Sequence, residues 1–93
     1  MIDLDKICVL GLGYIGLPTA LLFATNNATV VGVDINEEVI AKLNKGEIHF
    51  EEKGLLELFE KARKSKTFTA SKEIPEADVF IICAPTPWIK NIM

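Results

Sequence analysis

One hexapeptide constrains the fold more than any other feature of the chain. Gly11-Leu12-Gly13-Tyr14-Ile15-Gly16 reads G-x-G-x-x-G. Alone, this pattern is weak. Here it follows a continuous apolar run, Lys6-Ile7-Cys8-Val9-Leu10, and opens a Leu- and Ala-rich stretch from Leu17 to Thr25. The run fits a strand buried on both faces, as in parallel sheets. The stretch after it predicts a helix, with Pro18 in the first turn, where a missing N–H is tolerated. Strand, glycine loop and helix in that order are the context in which the glycines have separate physical jobs. Gly11 permits the tight turn, Gly13 lets a pyrophosphate approach the backbone, and Gly16 lets helix and strand pack closely. The helix N-terminus would then present free N–H groups and the positive end of its dipole to the phosphates. A glycine-rich turn with no ligand is the plain alternative.

The rest of the chain alternates in the same way. Ala28 to Val33 predicts a second strand ending at Asp34. Asn36 is a candidate N-cap for a helix with Glu37 and Glu38 in its first turn, an apolar stripe at Val39, Ile40 and Leu43, and a stop at Gly46. Residues 47–53 form a polar connection. A further helix over Leu55 to Ala62, a short strand over Thr67 to Ala70, a turn or brief helix over Ser71 to Ala77, and a strand over Asp78 to Cys83 follow. The expected fold is α/β: a truncated Rossmann-type doubly wound parallel sheet of about four strands, order 3-2-1-4. The 93 residues bury roughly 64% of their unfolded surface on folding, enough for one small domain. That domain is expected to be an incomplete dinucleotide-binding domain over residues 1–93.

Asp34 is the second element of the site. It ends the second strand 18 residues after Gly16, where an acid can accept hydrogen bonds from the adenosine ribose. Its charge would repel the 2′-phosphate of NADP, so the expected cofactor is NAD. The alternative role is a carboxylate that caps the following turn. Thr86, in the Ala84-Pro85-Thr86-Pro87 break after the fourth strand, lies at the topological switch point, where its hydroxyl could reach the cofactor. It could equally contact only backbone in a proline-locked turn.

Other features carry less. The net charge of −3 removes the usual electrostatic footprint of nucleic-acid binding. No apolar run approaches a membrane span, and the acids near Met1 argue against a signal peptide. The expectation is therefore a cytoplasmic chain with neither nucleic-acid nor membrane partners. Lys61 to Lys66 reads as a solvated helix C-terminus. Cys8 and Cys83 read as free, buried thiols. No metal site is expected, since His49 is the only histidine and is far from both cysteines in sequence. His49 itself reads as a surface or hydrogen-bonding residue, and Glu51 and Glu52 receive no acid–base role.

The segment from Lys6 through Gly16-Leu17-Pro18 resembles the amino-terminal part of the nucleotide-sugar 6-dehydrogenases, among them the UDP-glucose, GDP-mannose and UDP-N-acetylmannosamine dehydrogenases. Val31-Gly32-Val33-Asp34, Leu43 through Gly54-Leu55, and Ala77-Asp78-Val79 through Pro85-Thr86-Pro87 extend the resemblance over residues 6–87. Gly46-Glu47-Ile48-His49 looks more like the UDP-N-acetylmannosamine branch, because His49 stands where the UDP-glucose type has proline. Lys53 also departs from the usual proline after Glu52. The resemblance implies NAD-dependent oxidation of a sugar C6 alcohol to a carboxylate in two hydride transfers, through a thiohemiacetal on a catalytic cysteine. That cysteine belongs to a Phe-Gly-Gly-x-Cys segment absent from this sequence, so no catalytic residue is assigned. The chain alone is expected to be inactive, with the UDP-sugar bound only by the full-length enzyme. Carried over are the cofactor residues Gly11, Gly13, Tyr14, Ile15, Gly16, Asp34 and Thr86.

Two other readings stay open. One is a stand-alone nucleotide-binding or interaction module with no catalysis. The other is part of a different Rossmann dehydrogenase, against which Tyr14-Ile15-Gly16-Leu17-Pro18 speaks. An exposed fourth strand would invite pairing, so a homo-oligomer or swapped assembly is expected at high concentration.

Overall fold

Lys6–Leu10 forms β1 at the centre of a parallel sheet, with its middle three residues buried. The computed structural model describes residues 6–83. Helix α1 (Gly16–Ala24) follows, then β2 (Thr29–Val33), α2 (Glu37–Lys45), α3 (Leu55–Ser65), β3 (Phe68–Ser71) and β4 (Val79–Ile82). The sheet order is β3-β2-β1-β4, with every pairing parallel. This is the order expected from the sequence. Each element lies within a residue or two of its expected bounds, except that α3 runs three residues past Ala62. Ser71 to Ala77 contains no helix beyond the end of β3.

The central strands are buried because parallel strands linked by helical crossovers gain cover from those helices. Helix α1 buries Gly16, Leu17, Ala20, Leu21 and Ala24, a stripe at helical spacing. Helix α3 does the same with Leu55, Phe59 and Ala62. These residues share one core with Ile7, Val9, Val30 and Phe68 from the sheet and Ile40 and Leu43 from α2. All three helices thus cover one face. The other face carries a smaller cluster of Cys8, Val31 and Val33, with Leu10 and Ala77 beside it and no helical residue among the described ones.

Local chemistry fixes the ends of the helices. The Asn36 side chain accepts hydrogen bonds from the Glu38 and Val39 N–H groups at the start of α2. Gly46 closes α2 with φ of 91°, a conformation that glycine adopts without steric cost. The Thr67 hydroxyl donates to the Ala24 carbonyl at 2.8 Å, tying the end of α1 to the approach to β3. Cys8 is buried and Cys83 is half-buried, both as free thiols. The expectation of a buried Cys83 is therefore corrected: it lies just past β4, at the sheet edge. Burial pushes the Cys8 thiol above its ordinary pKa, against a smaller opposing effect of Lys6.

Candidate functional site

The G-x-G-x-x-G loop runs from the carboxyl end of β1 into the first residue of α1. Gly11 has φ of 98° and donates its N–H to the Val33 carbonyl at 2.7 Å, joining the ends of β1 and β2. A Cβ on Gly16 would lie 1.6 Å from the Gly11 carbonyl oxygen. Gly16 is therefore required by the fold itself, whatever the loop binds. Gly13 is different: a Cβ there would meet nothing within 4 Å. The space beside it is open to a ligand.

The loop is rich in unused donors. Among the described residues, the N–H groups of Gly13, Tyr14 and Ile15 make no hydrogen bond to backbone or side chain. No side chain caps α1, and its first turn holds no acid. Helix α2, in contrast, has both a side-chain cap and two acids in its first turn. The start of α1 thus keeps its positive dipole end and N–H groups available to an anion. Tyr14 is 71% exposed, and its ring lies 4.6 Å from that of Phe50.

Asp34 stands at the end of β2, half-buried beside the loop. Its Oδ2 accepts the Leu12 N–H at 2.9 Å, and its Oδ1 accepts the Asn36 N–H at 2.9 Å. The carboxylate therefore serves the following turn, as one expectation held, and is also fixed against the glycine loop. Each oxygen keeps acceptor capacity for a further donor such as a ribose hydroxyl. Thr86 lies outside the described residues.

His49, expected as a surface or hydrogen-bonding residue, has a partner in the site that the sequence did not point to. The His49 ring edge reaches the Leu12 carbonyl, with Nε2 2.6 Å from the oxygen. The ring also lies edge-on to Phe50, with centroids 4.8 Å apart. The connection between α2 and α3 thereby touches the glycine loop twice, at Leu12 and at Tyr14. An open groove of about 520 Å³ runs along this connection, lined by Ile48, Phe50, Glu51, Glu52, Lys53 and Leu55 among others. None of its lining residues belongs to the glycine loop, though Phe50 also packs on Tyr14. No group of three or more His, Cys, Asp or Glu residues suited to a metal exists among the described residues. No helix there is long and apolar enough to cross a membrane.

A parallel sheet, a glycine loop with free N–H groups at a helix start, and an acid at the end of β2 define a dinucleotide-binding βαβ protein. Comparison with known proteins narrows this class. The family described as UDP-glucose/GDP-mannose dehydrogenase family, NAD binding domain, matches residues 5–92, and the chain belongs to it. The chain is 51% identical over 96% of its length to a UDP-N-acetyl-D-mannosamine dehydrogenase of Methanococcus maripaludis (strain C7), covering 21% of that protein. A solved structure of the UDP-N-acetyl-mannosamine dehydrogenase Cap5O from S. aureus superposes with a TM-score of 0.87 at 48% identity. That match covers 89% of this chain and 20% of the other. A UDP-glucose dehydrogenase from Pyrobaculum islandicum superposes with a TM-score of 0.85 at 32% identity, covering 91% of this chain and 21% of that one. The chain thus spans about a fifth of the length of the curated relatives it matches. Its cofactor is NAD, as the family's domain indicates.

Proposed function

We propose that residues 1–93 are the NAD-binding domain of a dehydrogenase that oxidises the C6 alcohol of UDP-N-acetylmannosamine to a carboxylate. The observation that carries the cofactor part is the glycine loop. It has open space at Gly13, unused N–H groups at Gly13, Tyr14 and Ile15, and a helix start without a cap. Gly11 and Gly16 shape the loop, the three N–H groups hold the pyrophosphate, and Asp34 accepts the adenosine ribose hydroxyls. Thr86 is proposed to contact the cofactor from beyond β4. When bound, NAD supplies the hydride acceptor for the alcohol oxidation. The Asp34 charge disfavours a 2′-phosphate and so favours NAD over NADP.

The choice of sugar rests on identity. Relatives named for UDP-N-acetylmannosamine range from 34% to 52%, one named for NDP-N-acetyl-D-galactosaminuronic acid stands at 43%, and the UDP-glucose enzyme at 32%. His49 supports the same branch. Substrate chemistry and a homo-oligomeric assembly belong to the full-length protein in this reading.

Isothermal titration with NAD and NADP tests the cofactor part. NAD is expected to bind and NADP to bind at least about tenfold more weakly, the order of one repelled charge–phosphate contact. Absence of NAD binding, or preference for NADP, overturns the reading. NADH formation by the full-length protein with UDP-N-acetylmannosamine, UDP-glucose and GDP-mannose tests the sugar. Turnover of UDP-glucose or GDP-mannose in preference would move the protein to another branch.

A further inference from the structure

We infer that His49 is a positioning residue for the phosphate-binding loop: its Nε2–H holds the Leu12 carbonyl and so aims the Gly13 N–H at the cofactor pyrophosphate. The inference rests on the reading of this loop as the phosphate cradle.

The Leu12 peptide groups are held from two sides. The Asp34 carboxylate takes the Leu12 N–H at 2.9 Å, and His49 lies 2.6 Å from the Leu12 carbonyl. The Leu12 side chain is fully buried and sits against Gly32, where a Cβ would come within 2.7 Å of it. No cis peptide occurs among the described residues. In a trans peptide, the carbonyl of one residue and the N–H of the next point in opposite directions. Fixing the Leu12 carbonyl toward His49 therefore turns the Gly13 N–H away from it. That N–H has no partner among the described residues, and Gly13 has open space beside it. A preorganised donor binds an anion with less reorganisation than one free to rotate.

The polar contact of the ring supports this role over simple packing. A carbonyl only accepts, so Nε2 must carry the proton. Nδ1 is buried with no partner among the described residues. A phenylalanine would fill the same space without an orphaned acceptor. The donor at Nε2 is what histidine adds. The neighbouring ring contributes a second contact: Phe50 meets both His49 and Tyr14. Residues 49–50 thus brace the loop at two points, one of them backbone.

Three measurements test the role, and the first needs no variant. Imidazole ¹⁵N spectra of the protein are expected to show the Nε2–H tautomer of His49; the Nδ1–H tautomer overturns the inference. In cofactor-free ¹H–¹⁵N spectra, His49→Phe should shift the Gly13 amide, and His49→Gln, which can present an N–H at a similar place, should restore it. In titrations, His49→Phe should weaken NAD about tenfold, the value of one misplaced hydrogen bond, and leave adenosine, which has no phosphates, unchanged. His49→Gln should recover most of the loss. An unmoved Gly13 amide, parent-like NAD affinity in His49→Phe, or equal losses for NAD and adenosine each overturn the proposal. A parent protein that binds no NAD overturns the cofactor reading instead, while the cofactor-free spectra still decide whether His49 sets the Gly13 amide.

Discussion

Gly13 and Gly16 stand three residues apart in one motif, yet they are glycines for different reasons. Gly16 has no room, with its Cβ position 1.6 Å from the Gly11 oxygen, and Gly13 has nothing near it within 4 Å. Gly13 also lacks a positive φ. Gly13→Ala is therefore expected to fold with stability within about 0.5 kcal/mol of the parent while NAD affinity falls at least about tenfold, because the methyl group occupies the path of the pyrophosphate. Gly16→Ala should destabilise the fold by about 3 kcal/mol or more, since the clash is with backbone. Denaturant melts and NAD titrations on both variants separate the two roles. A Gly13→Ala protein that binds NAD like the parent would remove the ligand explanation for that glycine. These glycines were legible in the sequence because motif and local context coincide. His49 was not. Its partner, Leu12, lies 37 residues away, and no local pattern marks a carbonyl as the target of a distant ring. Asp34 was legible as an acid beside the loop, but its grip on the Leu12 N–H appears only once β1 and β2 lie side by side.

At the level of elements, the two helix starts nearest the carboxyl end of the sheet are finished in opposite ways. Helix α2 is satisfied internally by the Asn36 side chain and by Glu37 and Glu38. The Lys72–Glu37 ion pair adds an exposed contact that holds the Glu37 carboxyl below its usual range, and exposed pairs of this kind contribute little. Helix α1 has neither cap nor acid. Asn36→Ala should cost about 1 kcal/mol, equivalent to about 4–8 °C in Tm for a domain of this size, and leave NAD affinity unchanged. A thermal melt with a parallel titration checks both halves of that expectation, and a loss of NAD binding would tie α2 to the cofactor site. The helices and strands were readable because their signals are local: β-branched runs, the Asn36 cap, the Gly46 stop. Residues 71–77 were harder. Pro75 and the surrounding polar residues fit either a turn or a short helix, and the choice is made by Asp78. Its N–H bonds the Lys6 carbonyl and its carboxylate takes the Lys6 N–H, which pins the end of the segment beside the start of β1.

Across the whole molecule, the asymmetry of the sheet matters most. Among the described residues, helices α1, α2 and α3 all pack on one face. The other face carries alternate residues of β4 outward: Phe80 is 48% exposed and Ile82 70% exposed. Parallel sheets are ordinarily covered on both faces, so these side chains form an apolar surface beside a strand edge, a combination that favours contact with another chain. The strand order legible in the sequence puts β4 at the edge of the four described strands. It could not show which side chains of β4 the helices leave bare, since that depends on both crossovers running to the same side. Concentration-dependent self-association is the expected outcome, measurable by sedimentation or light scattering. Phe80 sits mid-strand, away from the glycine loop, with its Cα opposite Cys8. Phe80→Thr keeps a strand-favouring residue and removes much of the exposed apolar surface. It should raise the self-dissociation constant at least about tenfold, or about 1.4 kcal/mol, with NAD affinity unchanged. A parent protein that stays monomeric at every concentration, or a Phe80→Thr protein that associates as strongly, would show that this face is not what holds copies together. If association weakens and NAD binding is kept, the sheet divides its work: the helix-covered face supports the cofactor loop, and the exposed side chains of β4 meet another copy.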